Sequence, residues 1–218
     1  MHLNLSKLAI WLAQAATALY WNSAAAISAH AFVTAERMWG VFGLYWLISA
    51  ARHRAVKKTE RWFAQLSHIL PMALAFALAF QPHTSVGPLG LRLVPESASK
   101  DVVGLLLTAV GIALAIWARV HLGMNWSASV TIRSEHELIG SGPYRYVRHP
   151  IYTGIIIGLA GTALIVGEAR ALLGLAIAVV SFYFKAHKEE TWLTREFGTQ
   201  FDAHFKQKGM FFPRIAAH

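Results

Sequence analysis

Two short polar stretches in an otherwise apolar chain hold the residue types that chemistry requires. The first is Ser141-Gly142-Pro143-Tyr144-Arg145-Tyr146-Val147-Arg148-His149-Pro150-Ile151-Tyr152-Thr153-Gly154, and the second is Lys185-Ala186-His187-Lys188-Glu189-Glu190-Thr191-Trp192-Leu193. Gly142-Pro143 is a turn signal, and proline favours the first turn of a helix. His149 therefore stands at a helix start, with Tyr152 one turn in on the same face. The free N–H groups and positive dipole end of such a helix suit a carboxylate, for example that of an amino-acid ligand. In the second stretch two adjacent carboxylates follow directly on an apolar run. Ionisable groups at a membrane boundary are costly unless paired or useful. Lys185 and Glu189 have the spacing of an ion pair on one helical face. Adjacent side chains point about 100° apart, so only one of the two glutamates is expected to face a site directly.

Other chemistries find less support. The chain has no cysteine, which excludes disulfides, thiolate nucleophiles and cysteine metal sites. His149, His187 and Glu189 are the only plausible metal set, and no His-x-x-x-His or similar spacing exists, so no metal is expected. Singly, each residue has an ordinary reading. Arg145 and Arg148 suit lipid phosphates, Tyr144, Tyr146 and Tyr152 an aromatic belt, and Gly154, Gly158 and Gly161 close helix packing. The functional reading rests on the two stretches meeting.

The elements that must bring them together are membrane helices. Of 218 residues 56% are hydrophobic and 14% charged, against roughly 25% charged in soluble domains. The surplus apolar surface needs lipid as its partner. The N-terminus does not read as a cleavable signal. Apolar segments near bilayer length are expected at roughly 8–33, 38–51, 62–80 (with Pro71 as a kink) and 102–120, then in one long region, 152–184. That last region is too long for one crossing, and Gly167-Glu168-Ala169-Arg170 in its middle makes it a tight helical hairpin. The hairpin returns its two ends to one membrane face, so Arg148, His149 and Tyr152 should face Lys185, Glu189 and Glu190. The fold class expected is all-α, a multi-pass bundle of about five transmembrane helices with a cytoplasmic-face pocket. Residues 1–100 supply N-terminal helices and an irregular external loop from Gln81 to Lys100; residues 101–218 supply the functional core and a cytoplasmic tail.

The net charge of +9 fits anionic lipid better than nucleic acid, because the basic residues flank apolar segments instead of forming one face. With the N-terminus in the cytoplasm and every segment crossing, only Arg37, Arg92, Lys100 and Arg170 of the 20 Lys and Arg residues fall outside. That bias predicts N-in and C-in.

The stretch from about Ala118 to Pro213 resembles the isoprenylcysteine carboxyl methyltransferase family and its bacterial relatives. The matching signals are Leu122-Gly123 with Asn125-Trp126, His136-Glu137-Leu138-Ile139, Gly142-Pro143-Tyr144-Arg145, Arg148-His149-Pro150-x-Tyr152-x-Gly154, Glu189-Glu190-x-x-Leu193, Phe197-Gly198 and Pro213. The resemblance implies an integral membrane enzyme using S-adenosylmethionine on a lipophilic acceptor that enters from the bilayer. It assigns His136, Leu138 and Ile139 to the adenosine end. Tyr144, His149 and Tyr152 would hold the cofactor, and Glu189 would be the carboxylate that contacts it. Arg148 and Lys185 would be the cations that orient an acceptor carboxylate. Three positions depart from the pattern: Lys185 where arginine is frequent, Phe201 and His204 where tyrosines are usual, and Met124 where relatives often have arginine. Lysine cannot form arginine's bidentate fork on a carboxylate.

A carboxylate acceptor needs no general base, whereas an amine or thiol would, with Glu190 or His187 as candidates. Two other readings carry different expectations. A membrane sterol-type reductase, with a related helical architecture and an Arg-His pair before a tyrosine, would bind NADPH; a silent membrane scaffold would bind neither cofactor. The acceptor's identity and the oligomeric state are left open.

Overall fold

A computed structural model describes residues 5–51, 62–81, 87–123, 140–198 and 207–214. Among these described residues are five α-helices: α1 (Leu5–Ala51), α2 (Trp62–Phe80), α3 (Ala98–Leu122), α4 (Pro150–Val166) and α5 (Ala169–Phe197). Two short 3-10 turns, Gly87–Gly90 and Gly142–Arg145, precede α3 and α4. Among the described residues the only extended pairings are the isolated bridges Arg92 to Glu168 and Val147 to Gly209. The all-α expectation is met.

The helices are built inside out relative to a soluble bundle. On α3 the large apolar residues Val102, Val103, Leu106, Val110, Trp117 and Val120 face outward, while Gly104, Thr108, Gly111, Ala115 and Ala118 face inward. A helix in water shows the opposite pattern, with its polar stripe outward. On α2, Ile69, Leu70 and Leu74 are exposed while Ala75 and Ala79 are buried, and Val41, Leu44 and Leu47 are exposed on α1. Each such side chain left in water forgoes roughly 1.5–3 kcal/mol. Two helices among the described residues are long and apolar enough to cross a bilayer, α3 and the Ala169–Arg195 part of α5; Leu66–Phe80 and α4 are apolar but shorter.

The small inward residues let backbones touch. A Cβ on Gly111 would collide with Gly158, one on Gly154 with Gly111 and Ala115, and one on Gly161 with Gly104 and Thr108. The close-packing role expected of Gly154, Gly158 and Gly161 is therefore realised, by Gly154 and Gly161 against α3 and by Gly158 beneath the Trp39 ring of α1. Buried polar contacts tie α4 to both neighbours: Trp39 Nε1 on α1 donates to Thr162 Oγ1 at 2.9 Å, and Thr108 Oγ1 on α3 to the Gly158 carbonyl at 3.2 Å.

The two N-terminal segments expected at 8–33 and 38–51 form one element. Thr34, Ala35, Glu36 and Arg37 lower the hydropathy between them, but none is a glycine or proline, so the helix continues. Its 47 residues reach about 70 Å at ~1.5 Å each. Ser28 Oγ donates to Asp101 at 2.6 Å and Arg119 donates to the Ser49 carbonyl at 3.4 Å, so the second half of α1 runs parallel to α3. Pro71 lies within α2 without ending it.

The hairpin between α4 and α5 is present, with Gly167 in the left-handed conformation (φ 68°) that terminates α4. Its tip is buried. Leu93 and Val94 donate backbone N–H groups to the Gly167 carbonyl at 2.8 and 3.0 Å, and Ala169 N–H donates to Leu91 at 2.9 Å. Glu168 pairs with Arg170 at 2.7 Å, Arg170 also donates to the Leu78 carbonyl, and Arg92 joins Glu96 at 2.8 Å. Next to them Lys100 donates to Asp101 at 2.8 Å and to the Ile165 carbonyl at 2.6 Å. The connection expected to be an irregular external loop from Gln81 to Lys100 thus covers the hairpin tip in its second half. It ends at Ser97, whose hydroxyl caps α3 by accepting from Lys100 N–H.

Candidate functional site

At the opposite end of the bundle, α4 begins and the C-terminal half of α5 passes beside it. His149 is the residue before the helix and Pro150 its first residue, as expected from proline's fixed φ. His149 and Tyr152 stack with centroids 5.4 Å apart and planes 6° from parallel, and Phe182 stacks on the other ring at 4.6 Å.

The glutamates of α5 meet this stack. Tyr152 OH donates to Glu189 Oε1 at 2.6 Å, and His149 Nε2 lies 2.9 Å from Glu190 Oε1. An ionised carboxylate only accepts, so Nε2 is the protonated ring nitrogen. His149 Nδ1 stands 3.5 Å from Glu189 Oε2, and Arg148 Nε 3.2 Å from Glu190 Oε1. The Arg148 approach is an ion contact without hydrogen-bond alignment at that nitrogen. The expectation that only one glutamate faces the site is overturned. Their Cα–Cβ vectors diverge, but two long side chains straddle His149, which offers a nitrogen toward each.

The expected Lys185–Glu189 pair does not form. Glu189 turns to Tyr152, and Lys185 Nζ sits 5.5 Å from the centroid of the Tyr152 ring, a cation–π position. His187 packs on Tyr183, centroids 4.4 Å apart, away from any convergence with His149.

Tyr144 is buried below the stack. Burial, and then the negative charge of Glu189, push its hydroxyl well above the ordinary tyrosine range, with Arg119 partly opposing. His136, Leu138 and Ile139 lie outside the described residues, as do Met124, Phe201 and His204.

Sequence reasoning missed the strap that closes the site. Residues 207–214 return after α5 and run beside the turn: Arg148 N–H donates to Gly209 O at 3.0 Å, His149 N–H to Met210 O at 3.1 Å, and Thr153 Oγ1 to Phe211 O at 2.8 Å. Lys208 Nζ donates to the Tyr144 carbonyl at 2.9 Å, and burial pulls its ammonium below the ordinary lysine range. The backbone N–H groups of Arg148 and His149, which lead into α4, are thus engaged by the chain itself. Arg119, 2% exposed, was also missed; it donates to carbonyls of Ser49 and Gly123, where α1 and α3 end. A cation at converging helix C-termini is the one local signal that pointed to it.

Beside the site, α2 and α5 part around a cavity of about 510 Å³ lined by Ser67, His68, Pro71, Ile177, Ser181 and Phe184, among others. Ser181 lies one turn from Lys185, so this mostly apolar groove leads toward the Tyr152 ring.

The stretch that builds this geometry has counterparts in known proteins. Residues 102–195 match the isoprenylcysteine carboxyl methyltransferase (ICMT) family. This stretch, somewhat less than half of the chain, is similar to that family. The matched range runs from the first turns of α3 to the end of α5 and holds every site residue named on α4 and α5. Protein-S-isoprenylcysteine O-methyltransferase B of Arabidopsis thaliana is 32% identical over 103 residues, 45% of this chain and 51% of that one. A probable protein-S-isoprenylcysteine O-methyltransferase of Oryza sativa subsp. indica is 29% identical over 97 residues, 44% and 51% of the two chains. The nickel-cobalt-cadmium resistance protein NccN of Alcaligenes xylosoxydans xylosoxydans is 25% identical over 120 residues, 55% and 53%. The chain spans about half the length of the curated relatives it matches.

Proposed function

We propose that this chain is an integral membrane methyltransferase that uses S-adenosylmethionine to methylate a lipophilic acceptor bearing a carboxylate of prenylcysteine type. The observation that carries the reading is the meeting of Tyr152 with Glu189 at 2.6 Å and of His149 with Glu190 at 2.9 Å across the hairpin. The match of residues 102–195 to the ICMT family, relatives named for isoprenylcysteine O-methylation, and the outward apolar faces of α1, α2 and α3 support it.

The residues fit the cofactor. A ligand carrying sulfonium and ammonium charges suits paired carboxylates beside aromatic faces, and that is the composition of the Glu189, Glu190, His149, Tyr152 and Phe182 cluster. Tyr144, held neutral by burial, offers a hydroxyl next to it. His136, Leu138 and Ile139 keep their proposed place at the adenosine end. When bound, S-adenosylmethionine supplies a methyl group already activated on sulfur.

What remains for the protein is positioning and exclusion of water. Glu189, fixed by Tyr152, holds the cofactor's cationic part. Arg148 already faces Glu190, so Lys185 is the cation that orients the acceptor carboxylate. Such a carboxylate is nucleophilic at neutral pH, and Glu190 orients His149 and Arg148 without removing a proton; with an amine acceptor Glu190 would be the base. The acceptor's hydrocarbon chain occupies the groove between α2 and α5.

For orientation, the end bearing the site faces the cytoplasm, because the basic residues flanking α2, α4 and α5 gather there. The C-in part of the topology is retained. The N-in part required a break near Arg37 that α1 lacks.

The test is transfer of labelled methyl from S-adenosylmethionine to prenylcysteine analogues and to extracted lipids by the purified full chain, with S-adenosylmethionine and NADPH binding measured side by side. Methyl ester formation on the prenylcysteine analogue is expected. Binding of NADPH alone, or of neither cofactor, would overturn the proposal.

A further inference from the structure

The strap at residues 207–214 has two faces. Its backbone and Phe211 turn inward: Gly209, Met210 and Phe211 accept the three hydrogen bonds described above, and the Phe211 ring packs edge-on to His149 at 6.3 Å. Its other side is open. Phe212 is 65% exposed, and Tyr146, one residue from the Val147–Gly209 bridge, is 59% exposed. Arg214 on the strap and Arg145 on the neighbouring turn are exposed as well. The strap folds back at Gly209, where a Cβ would collide with the Phe212 carbonyl, so no other residue permits this conformation. Two exposed aromatics between two exposed arginines, at the basic end of a bundle with outward apolar helices, have the composition of a headgroup-level anchor.

We propose that this strap is a latch that docks on an anionic lipid surface. Phe212 and Tyr146 insert at headgroup level, Arg145 and Arg214 meet lipid phosphates, and docking holds Gly209 and Met210 against Arg148 and His149. Lipid charge is thereby coupled to the order of the turn that carries His149. The inference rests on the membrane reading and is independent of methyl transfer.

The test uses the full chain in nanodiscs of phosphatidylcholine alone or with phosphatidylglycerol, without cofactor. Hydrogen exchange is read on a peptide containing the Arg148 and His149 amides, which the strap's carbonyls protect. Exchange should slow in the anionic discs by roughly fivefold for each arginine engaged. The difference should disappear in Arg145→Gln/Arg214→Gln and shrink in Phe212→Ser. Gly209→Val, which cannot hold the fold-back, should exchange fast in both compositions and serves as the undocked reference. Equal protection of the wild type in both discs, or a lipid effect that survives removal of both arginines, would overturn the latch. Either result leaves methyl transfer to be judged by its own assay.

Discussion

Glu190 accepts a hydrogen bond from His149 at 2.9 Å, although the two lie 41 residues apart. The hairpin makes this possible: α4 leaves the site at His149, turns at Gly167, and α5 returns to it at Glu189. A buried or half-buried charge-assisted bond of this kind is worth about 1.5–3 kcal/mol. His149→Ala should therefore lower S-adenosylmethionine affinity by about one to two orders of magnitude, with helicity by circular dichroism unchanged. Unaltered affinity by calorimetry in detergent would separate His149 from the cofactor.

Glu189 is the sharper case, because Tyr152 orients it and no other carboxylate occupies its place. Glu189→Gln keeps the shape and removes the charge. Binding of S-adenosylmethionine should be lost within the measurable range while thermal stability in detergent stays near wild type. Tyr152→Phe should show a smaller loss, since the charge remains and only its orientation is relaxed.

Lys185 separates acceptor from cofactor. Lys185→Met should raise KM for a carboxylate acceptor by roughly tenfold or more and leave S-adenosylmethionine affinity within about twofold. Lys185→Arg should retain or improve acceptor binding, since the guanidinium forms a bidentate fork. Equal loss in both variants would place Lys185 outside acceptor recognition.

Tyr144 gives a pH dependence with a defined sign. Its hydroxyl is raised in the folded chain above the ordinary value of 10.0. The folded state therefore holds a proton that the unfolded state releases, and the associated stability is fully present below pH 10 and declines as pH rises above it. Tyr144→Phe cannot lose that proton. Its melting temperature in detergent should fall less steeply than wild type above pH 10, and parallel slopes would exclude this source.

The Lys100–Asp101 pair at the other end of the bundle permits a test remote from the site. Asp101→Asn leaves the buried Lys100 without its carboxylate, a change that costs about 3–5 kcal/mol when a buried pair is broken. A drop in melting temperature of several degrees is expected, with cofactor affinity at low temperature preserved. Loss of affinity in step with stability would mean that the two ends are not independent.

Much of this arrangement was legible because it depends on hydropathy and on strong local signals. Gly167 within an apolar run marked the hairpin, and His149-Pro150 marked the start of α4. The meeting of Tyr152 with the glutamates followed from those two facts. What escaped had no such signal. Glu36 and Arg37 interrupt hydropathy but not helix propensity, so α1 passed for two segments. Gly209, Met210 and Phe211 act through backbone carbonyls whose partners are set only by tertiary contact, and so is the partner of the Lys208 ammonium. The engagement of both glutamates depended on His149 lying over the gap between them, which periodicity along one helix does not encode.

The glycine contacts between α3 and α4 leave few side-chain atoms to rearrange along that seam, chiefly those of Thr108, Ala115 and Ile165. Two helices joined backbone to backbone behave as a single beam, neither sliding nor rolling without opening a void. Any breathing that admits a ligand must fall to the other arm, the stretch of α5 beyond Phe182 together with the returning C-terminal segment. The aromatic stack then belongs to the fixed jaw of a clamp, and the carboxylates to the one that swings.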